Sequence, residues 1–331
     1  MWKSFLSLIK KDFQMLFAGK FLFVTIGSLL LYTAFINFGY VSFMQAELYH
    51  VYLYDPAGTQ TGYSERIQPV CSSEELAQAL STDTNSVGID ASSGDPLVVF
   101  FAGSQKADSH RKDYAISLLR SGNRYEAETV GQYTPEMKQR REITCELLFI
   151  ELIAVGFLGI ASVLFKEKQM GVIRVHAILP LKKRLFVLSK ITVFLLSDLV
   201  FAALLTMFNV EMAGALSILP AVLVQTALLS LVMALVGFAC AMLLQDFKQF
   251  SLAYLVIAIF AATPVFLTVN TSVKMEWVIY HPFYHLYMGL KNAYFGTPQR
   301  NAVYCIGAVL VIGALYFFVQ TVFRKEMGKE G

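Results

Sequence analysis

The residues with chemistry to offer are few and stand apart. Glu151 and Asp198 lie inside long apolar runs, and His281 and His285 are spaced i, i+4 in the stretch HPFYHLY. A carboxylate at the middle of a bilayer costs about 2.5 to 3.5 kcal/mol even on the forgiving insertion scale. Each acid is therefore expected to face a polar cavity, a partner helix or a seam between chains. There it would either contact a polar or cationic part of a substrate or accept a hydrogen bond from Ser, Thr or Asn on a neighbouring helix. Asp198, which follows Ser197, leans towards the second role. The histidine pair would share one helix face and so invites a metal ion. No third ligand is near, no Glu follows the first His, and Pro282 disturbs the geometry, so anchoring at a wet membrane boundary beside Tyr280, Tyr284 and Tyr287 fits better. The sequence lacks the G-x-x-x-x-G-K-[ST] loop that cradles phosphates and the elbow that presents a nucleophilic Ser. Any ATP-driven work would draw on another polypeptide, and the chain itself is not read as an enzyme.

What must position these residues is a set of membrane helices. Of 331 residues, 56% are hydrophobic and only 15% charged, against about a quarter charged in an ordinary soluble domain; the mean hydropathy is +0.55. The net charge of +3 is small and its basic residues flank apolar runs, which argues against a nucleic-acid partner. Cys71, Cys145, Cys240 and Cys305 are too scattered for a disulfide framework or a zinc site. Apolar runs near 21–43, 143–165, 185–208, 216–244, 250–269 and 302–323 are each long enough to cross a bilayer core, which needs about 20 residues. The first lacks a convincing cleavage site and is expected to be a retained helix. Ahead of it, residues 1–20 place Phe5, Ile9, Phe13 and Leu16 on one helix face and Lys3, Lys10 and Lys11 largely on the other. That pattern predicts either an interfacial helix or an extension of the first span.

The polar interruption at residues 165–190 sets the orientation. Lys166, Lys168, Arg174, Lys182, Lys183, Arg184 and Lys190 stand there against a single acid, Glu167. Such an excess in a short loop marks the cytoplasmic side, so both termini are expected inside. Val172, Val175, Ile178 and Leu179 recur at helical spacing, predicting a short surface helix that Pro180 ends. On residues alone, this is either a docking element or an ordinary basic loop against lipid headgroups.

Between the first two spans, residues 45–142 have a soluble composition. Strand-like patterns at 49–54, 86–89 and 97–101 alternate with helix-like ones at 73–80 and 109–119, predicting a small α/β domain. Ser73 is a candidate cap for the first of these helices, with Glu74 and Glu75 in its first turn. Near the other end, residues 280–296 are too apolar for free solvent and too broken for a full span. They are expected to form a re-entrant or interfacial helix packed within protein.

Glu167, Gly171 and Pro180, with Glu four residues before Gly and Pro nine after it, resemble the segment joining the second and third spans in membrane subunits of type-2 ATP-binding-cassette (ABC) exporters. Gln169 and Arg174 depart from the acids common there. Pro282, Lys291 and Gly296 are similar to a second pattern of these permeases, with Lys in place of the usual Arg, which keeps the charge but loses the bidentate fork. The insert resembles the extracytoplasmic domain that a subset of the family carries, with VYLYDPAG followed by SSEELAQAL. The resemblance implies a mainly α membrane protein: an elbow helix and first span in residues 1–44, an extracytoplasmic α/β domain in 45–142, and five further spans in 143–331. It implies a coupling segment at 166–184 that docks on a separate ABC ATPase through Glu167, Gly171, Arg174 and Pro180, with ATP and Mg held by that partner. It also implies a second permease chain, homo- or heterodimeric, with Glu151 and Asp198 along the substrate path. A receptor or assembly scaffold built on the insert is the competing expectation.

Overall fold

A computed structural model describes residues 2–40, 49–60, 63, 65–93, 95–102, 105–119, 126–131, 135–178, 182–210, 212–270, 275–297 and 302–330. Pro180, expected to end the polar segment's helix, lies outside them. The chain divides into two compact units, one of residues 1–34 and 142–331 and one of Phe35–Arg141.

In the larger unit, α1 (Trp2–Ala18) stops at a turn and α2 (Phe21–Ala34) begins afresh. Lys20 sits there at φ 58°, in the left-handed region that L residues enter at a cost, so α1 is a helix of its own and not an extension of the first span. Next come α5 (Pro135–Glu151), a π-helical stretch (Leu152–Gly156) and α6 (Phe157–Gln169). The polar segment holds α7 (Val172–Ile178), which α8 (Lys183–Asn209), α9 (Met212–Leu243) and α10 (Phe247–Asn270) follow. A 3-10 turn (Glu276–Tyr280), α11 (Pro282–Tyr294) and α12 (Ala302–Glu330) complete the unit. Among the described residues, six helices are long and apolar enough to cross a membrane: Phe21–Gly39, Met137–Gln169, Lys183–Asn209, Gly214–Leu243, Phe247–Val269 and Val303–Gly328. Their packed interior is aromatic; Phe157, Phe165 and Phe250 meet edge-on or tilted, and Phe186 stacks on Phe323 with centroids 5.0 Å apart. Pro282 opens α11, where its missing N–H is no loss. Leu286, Tyr287, Leu290 and Tyr294 give that helix, Pro282–Tyr294 within the expected 280–296 segment, a buried face.

The smaller unit is α/β. Its sheet runs β2 (Ile67–Val70), β1 (Val51–Tyr54), β3 (Val87–Asp90), β4 (Leu97–Phe101), β5 (Glu126–Gly131), with β3–β4 antiparallel and the other pairs parallel. Helices α3 (Ser73–Thr82) and α4 (Gln105–Leu118) accompany it. Val51, Leu53, Val87, Ile89, Val98 and Phe100 alternate into the core. The cap of α3 falls one residue earlier than expected. Ser72 Oγ accepts from the Glu75 amide at 3.0 Å, and Glu75 Oε2 accepts from the Cys71 amide at 2.8 Å, a reciprocal arrangement that satisfies two otherwise orphaned donors.

Candidate functional site

Two polar constellations are buried in the larger unit. The first is built on the intramembrane acids. Glu151 is the last residue of α5, only 3% exposed, and directly precedes the π-helical stretch, a local widening of the helix often found at functional positions. Ser28 and Tyr32, one turn apart on α2, donate to its two carboxylate oxygens at 2.8 and 3.0 Å. Asp198, on α8, accepts from Ser230 of α9 at 2.5 Å. Its carboxylate also closes on Gly156, where a Cβ would stand 3.3 Å from Oδ2. Four helices thus meet through two carboxylates, each paired with hydroxyl groups from another span.

The second constellation roots the polar segment. Glu167 is wholly buried, which corrects the expectation of an exposed acid offered to a partner. Lys190 Nζ donates to Glu167 Oε1 at 2.7 Å and to Asp12 Oδ1 at 2.5 Å, while Lys11 Nζ approaches the same Glu167 oxygen at 2.9 Å. Ser189 Oγ donates to Asp12 Oδ2 at 2.8 Å. Two acids and two lysines make a neutral cluster that ties α1, α6 and α8 together. The Phe186 ring lies under both ammonium groups, at 5.9 Å from Lys11 and 5.2 Å from Lys190. Lys168, one position beyond Glu167, pairs with Glu326 of α12 at 3.2 Å and donates to the Met242 and Leu244 carbonyls at the end of α9.

From this root α7 projects. Gly171 takes φ +69°, the left-handed turn that stops α6, and a Cβ added there would meet nothing within 4 Å. Its requirement is backbone conformation, not close approach within this chain. Gly296 ends α11 in the same way, at φ +73°. On α7 the buried side is Ile173, with His176 edge-on to Phe186 at 4.8 Å. Val175 and Ile178 are 54% and 78% exposed, and Arg174 is exposed beside them. Of the expected stripe of Val172, Val175, Ile178 and Leu179, Val175 and Ile178 face outward, and Leu179 lies outside the described residues. What α7 leaves outward is an apolar patch carrying one guanidinium group.

The remaining predicted positions separate. Lys291 forms an ion pair with Glu142, so the ammonium finds a carboxylate without the fork an Arg would bring. His281 precedes α11 and is buried among Phe260, Trp277 and Phe283, whereas His285 is exposed next to Tyr284. Among the described residues no three His, Cys, Asp or Glu side chains converge as metal ligands. Sequence reasoning missed Asp12, although its position four residues from both Leu8 and Leu16, which are buried, is the signal that puts it on the packed face.

Comparison with protein families, with curated proteins and with solved structures returns no match.

Proposed function

We propose that this chain is the transmembrane permease subunit of a type-2 ABC exporter, with ATP hydrolysed by a separate subunit. The observation that carries the proposal is the contrast within the polar segment. Its root at Glu167 and Lys168 is fixed to α1, α8, α9 and α12 by buried charge, while α7 leaves Val175 and Ile178 outward. A docking helix needs both properties: a surface that a partner can grip and a stiff link that passes displacement into the spans. A headgroup-facing loop needs only the first. In this reading α7 enters a groove on the ATPase, with Arg174 supplying a charged contact. Motion of α6 and α8 then reaches Glu151 and Asp198, where the spans meet. The termini and α7 lie in the cytoplasm, the α/β unit lies outside, and a second permease chain completes the path. Two spans, Phe21–Gly39 and Phe247–Val269, are buried over only 11% of their apolar windows, leaving surface for that second chain or for lipid.

The test is co-purification of the full chain from its native membrane in mild detergent. A polypeptide bearing a phosphate-binding loop is expected in near-equal amount, and it is expected to be lost when Val175 and Ile178 are both changed to Asp. Recovery of the chain without such a polypeptide overturns the proposal and favours the scaffold.

A further inference from the structure

A cavity of about 640 Å³ runs along the flank of the larger unit between α9, α11 and α12, within the roughly 300 to 1,000 Å³ of ligand pockets. Where α12 begins, Tyr304 Oη donates to Gln225 Oε1 at 2.7 Å, and His285 and Tyr280 line the cavity four and nine residues before Gly289 of α11. Gly289 presses this pair from α11: a Cβ there would stand 2.7 Å from Gln225 Oε1 and 2.8 Å from Tyr304 Oη. The pair is thus a packed feature of three helices. Away from it, the sides given by α9 and α12 are aliphatic. Leu228, Val232 and Val236 continue along α9 from Gln225, and Gly307, Val311 and Leu315 continue along α12 from Tyr304. Both series advance by the same helical steps, as expected for two spans that cross in the same sense because one span intervenes. A Cβ on Gly307 would meet nothing within 4 Å, so the small residue leaves the hollow open.

The dimensions and polarity select an occupant. From Tyr304 to Leu315 the rise is about 16 Å at 1.5 Å per residue, close to half of a hydrocarbon core about 30 Å thick. The trough is therefore about one leaflet deep and apolar along α9 and α12, with the Tyr304–Gln225 hydrogen bond where α12 begins. It opens on a face where Val303 and Val311 are 76% and 45% exposed, a surface whose surroundings in a bilayer are acyl chains. Neither Lys, Arg, Asp nor Glu lines it, which suits an uncharged tail and a hydroxyl or ester at its head. We propose that this cavity holds one acyl chain of a membrane amphiphile, with the tail along residues 307–315 and the polar end beside Tyr304. The inference does not depend on the exporter reading.

The test uses the full chain in phosphatidylcholine vesicles. Trace amounts of phosphatidylcholine or of lysophosphatidylcholine, each with a diazirine at the tail terminus, are photolysed and the labelled peptides mapped. Label is expected on residues 232–236 and 311–315 at about fivefold or more over the exposed face of α10 around Leu252 and Val256, the equivalent of about 1 kcal/mol of preference. Gly307→Phe, which fills the trough, should abolish that enrichment while labelling of α10 is unchanged. Ala308→Phe serves if the first variant does not fold. Enrichment with the two-chain probe identifies a resident bilayer lipid, and enrichment with the single-chain probe alone identifies a detachable amphiphile; either supports the proposal. Equal labelling of trough and α10 by both probes overturns it, as does enrichment that survives in the folded filled variant.

Discussion

The ammonium group of Lys190 lies 2.7 Å from Glu167 Oε1, closing a buried bridge between the start of α8 and the end of α6. The two residues bracket α7, so the ends of the protruding element are joined beneath it. Lys190 also reaches Asp12 at 2.5 Å, and α1 is thereby held by the same charge.

Removing one member of such a cluster leaves another charge buried and uncompensated. Glu167→Ala is expected to cost about 3 to 5 kcal/mol of stability, and Glu167→Leu combined with Lys190→Met much less than the sum of the single changes. Thermal unfolding in detergent checks this, with limited proteolysis of α1 as a second readout. An unchanged melting point for Glu167→Ala would mean that the acid does not hold the root.

Gly171 offers a separate test of the segment. Because its φ of +69° is the requirement and the space around it is open, Gly171→Ala and Gly171→Leu should destabilise the isolated chain similarly, by about 1 to 2 kcal/mol. Gly171→Asn should cost less, since Asn tolerates the left-handed region. In a complex with an ATPase, however, the Leu variant alone should meet the partner. A difference between Ala and Leu that appears only on assembly, measured as ATPase retained per chain, is the signature of a docked α7.

His281 gives the structure a pH dependence outside the spans. Burial among Phe260, Trp277 and Phe283 lowers its pKa below the ordinary imidazole value, and among the described residues neither ring nitrogen finds a hydrogen-bond partner. A lowered folded-state pKa means that the unfolded chain takes up the proton first. The neutral imidazole's contribution is therefore fully present above the ordinary value and is lost as pH falls through the lowered one. Melting temperature should drop between about pH 7 and pH 5. His281→Phe should flatten that slope and raise stability at pH 5 by about 1 kcal/mol, because it removes buried polar atoms without partners. A slope that persists in the variant assigns the effect to another group.

The spans were legible because a long apolar run has one dominant physical reading, although the second span's helix starts at Pro135, ahead of the apolar run at 143, and the last runs on to Glu330, past 323. The sheet was legible only in its middle. β1, β3 and β4 carry alternating Val, Leu, Ile and Phe, whereas β2 and β5 are its two edges. β2 contains Pro69 and β5 reads EAETVG, so neither shows the buried alternation that identifies a strand. The root cluster was hidden for a different reason. Asp12 and Lys190 meet across 178 positions, and nothing local distinguishes Glu167 from an exposed loop acid. Glycine chemistry was half legible: Gly171 and Gly296 stood out by spacing, but their positive φ follows from the helix ends they close.

The intramembrane acids respond differently to amide substitution, and the hydrogen bonds say why. Glu151 accepts from Ser28 on one oxygen and from Tyr32 on the other, so Gln must present an amide N–H to one of two hydroxyl donors. One bond is then lost at a site only 3% exposed, a cost of about 1 to 3 kcal/mol. Asp198 accepts from Ser230 on a single oxygen, and Asn can turn its carbonyl to that side and keep the bond. Asp198→Asn should therefore melt within about 1 kcal/mol of the parent, while Glu151→Gln melts lower. Tyr32→Phe combined with Glu151→Gln should recover part of the loss, because the opposed donor is gone. If the chain works with an ATPase as proposed, the same order is expected for stimulated ATP hydrolysis, because Glu151 adjoins the π-helical stretch within the second span. Equal melting of the two amide variants, with no recovery on removing the Tyr32 hydroxyl, would show that the two bonds to Glu151 do not set its sensitivity.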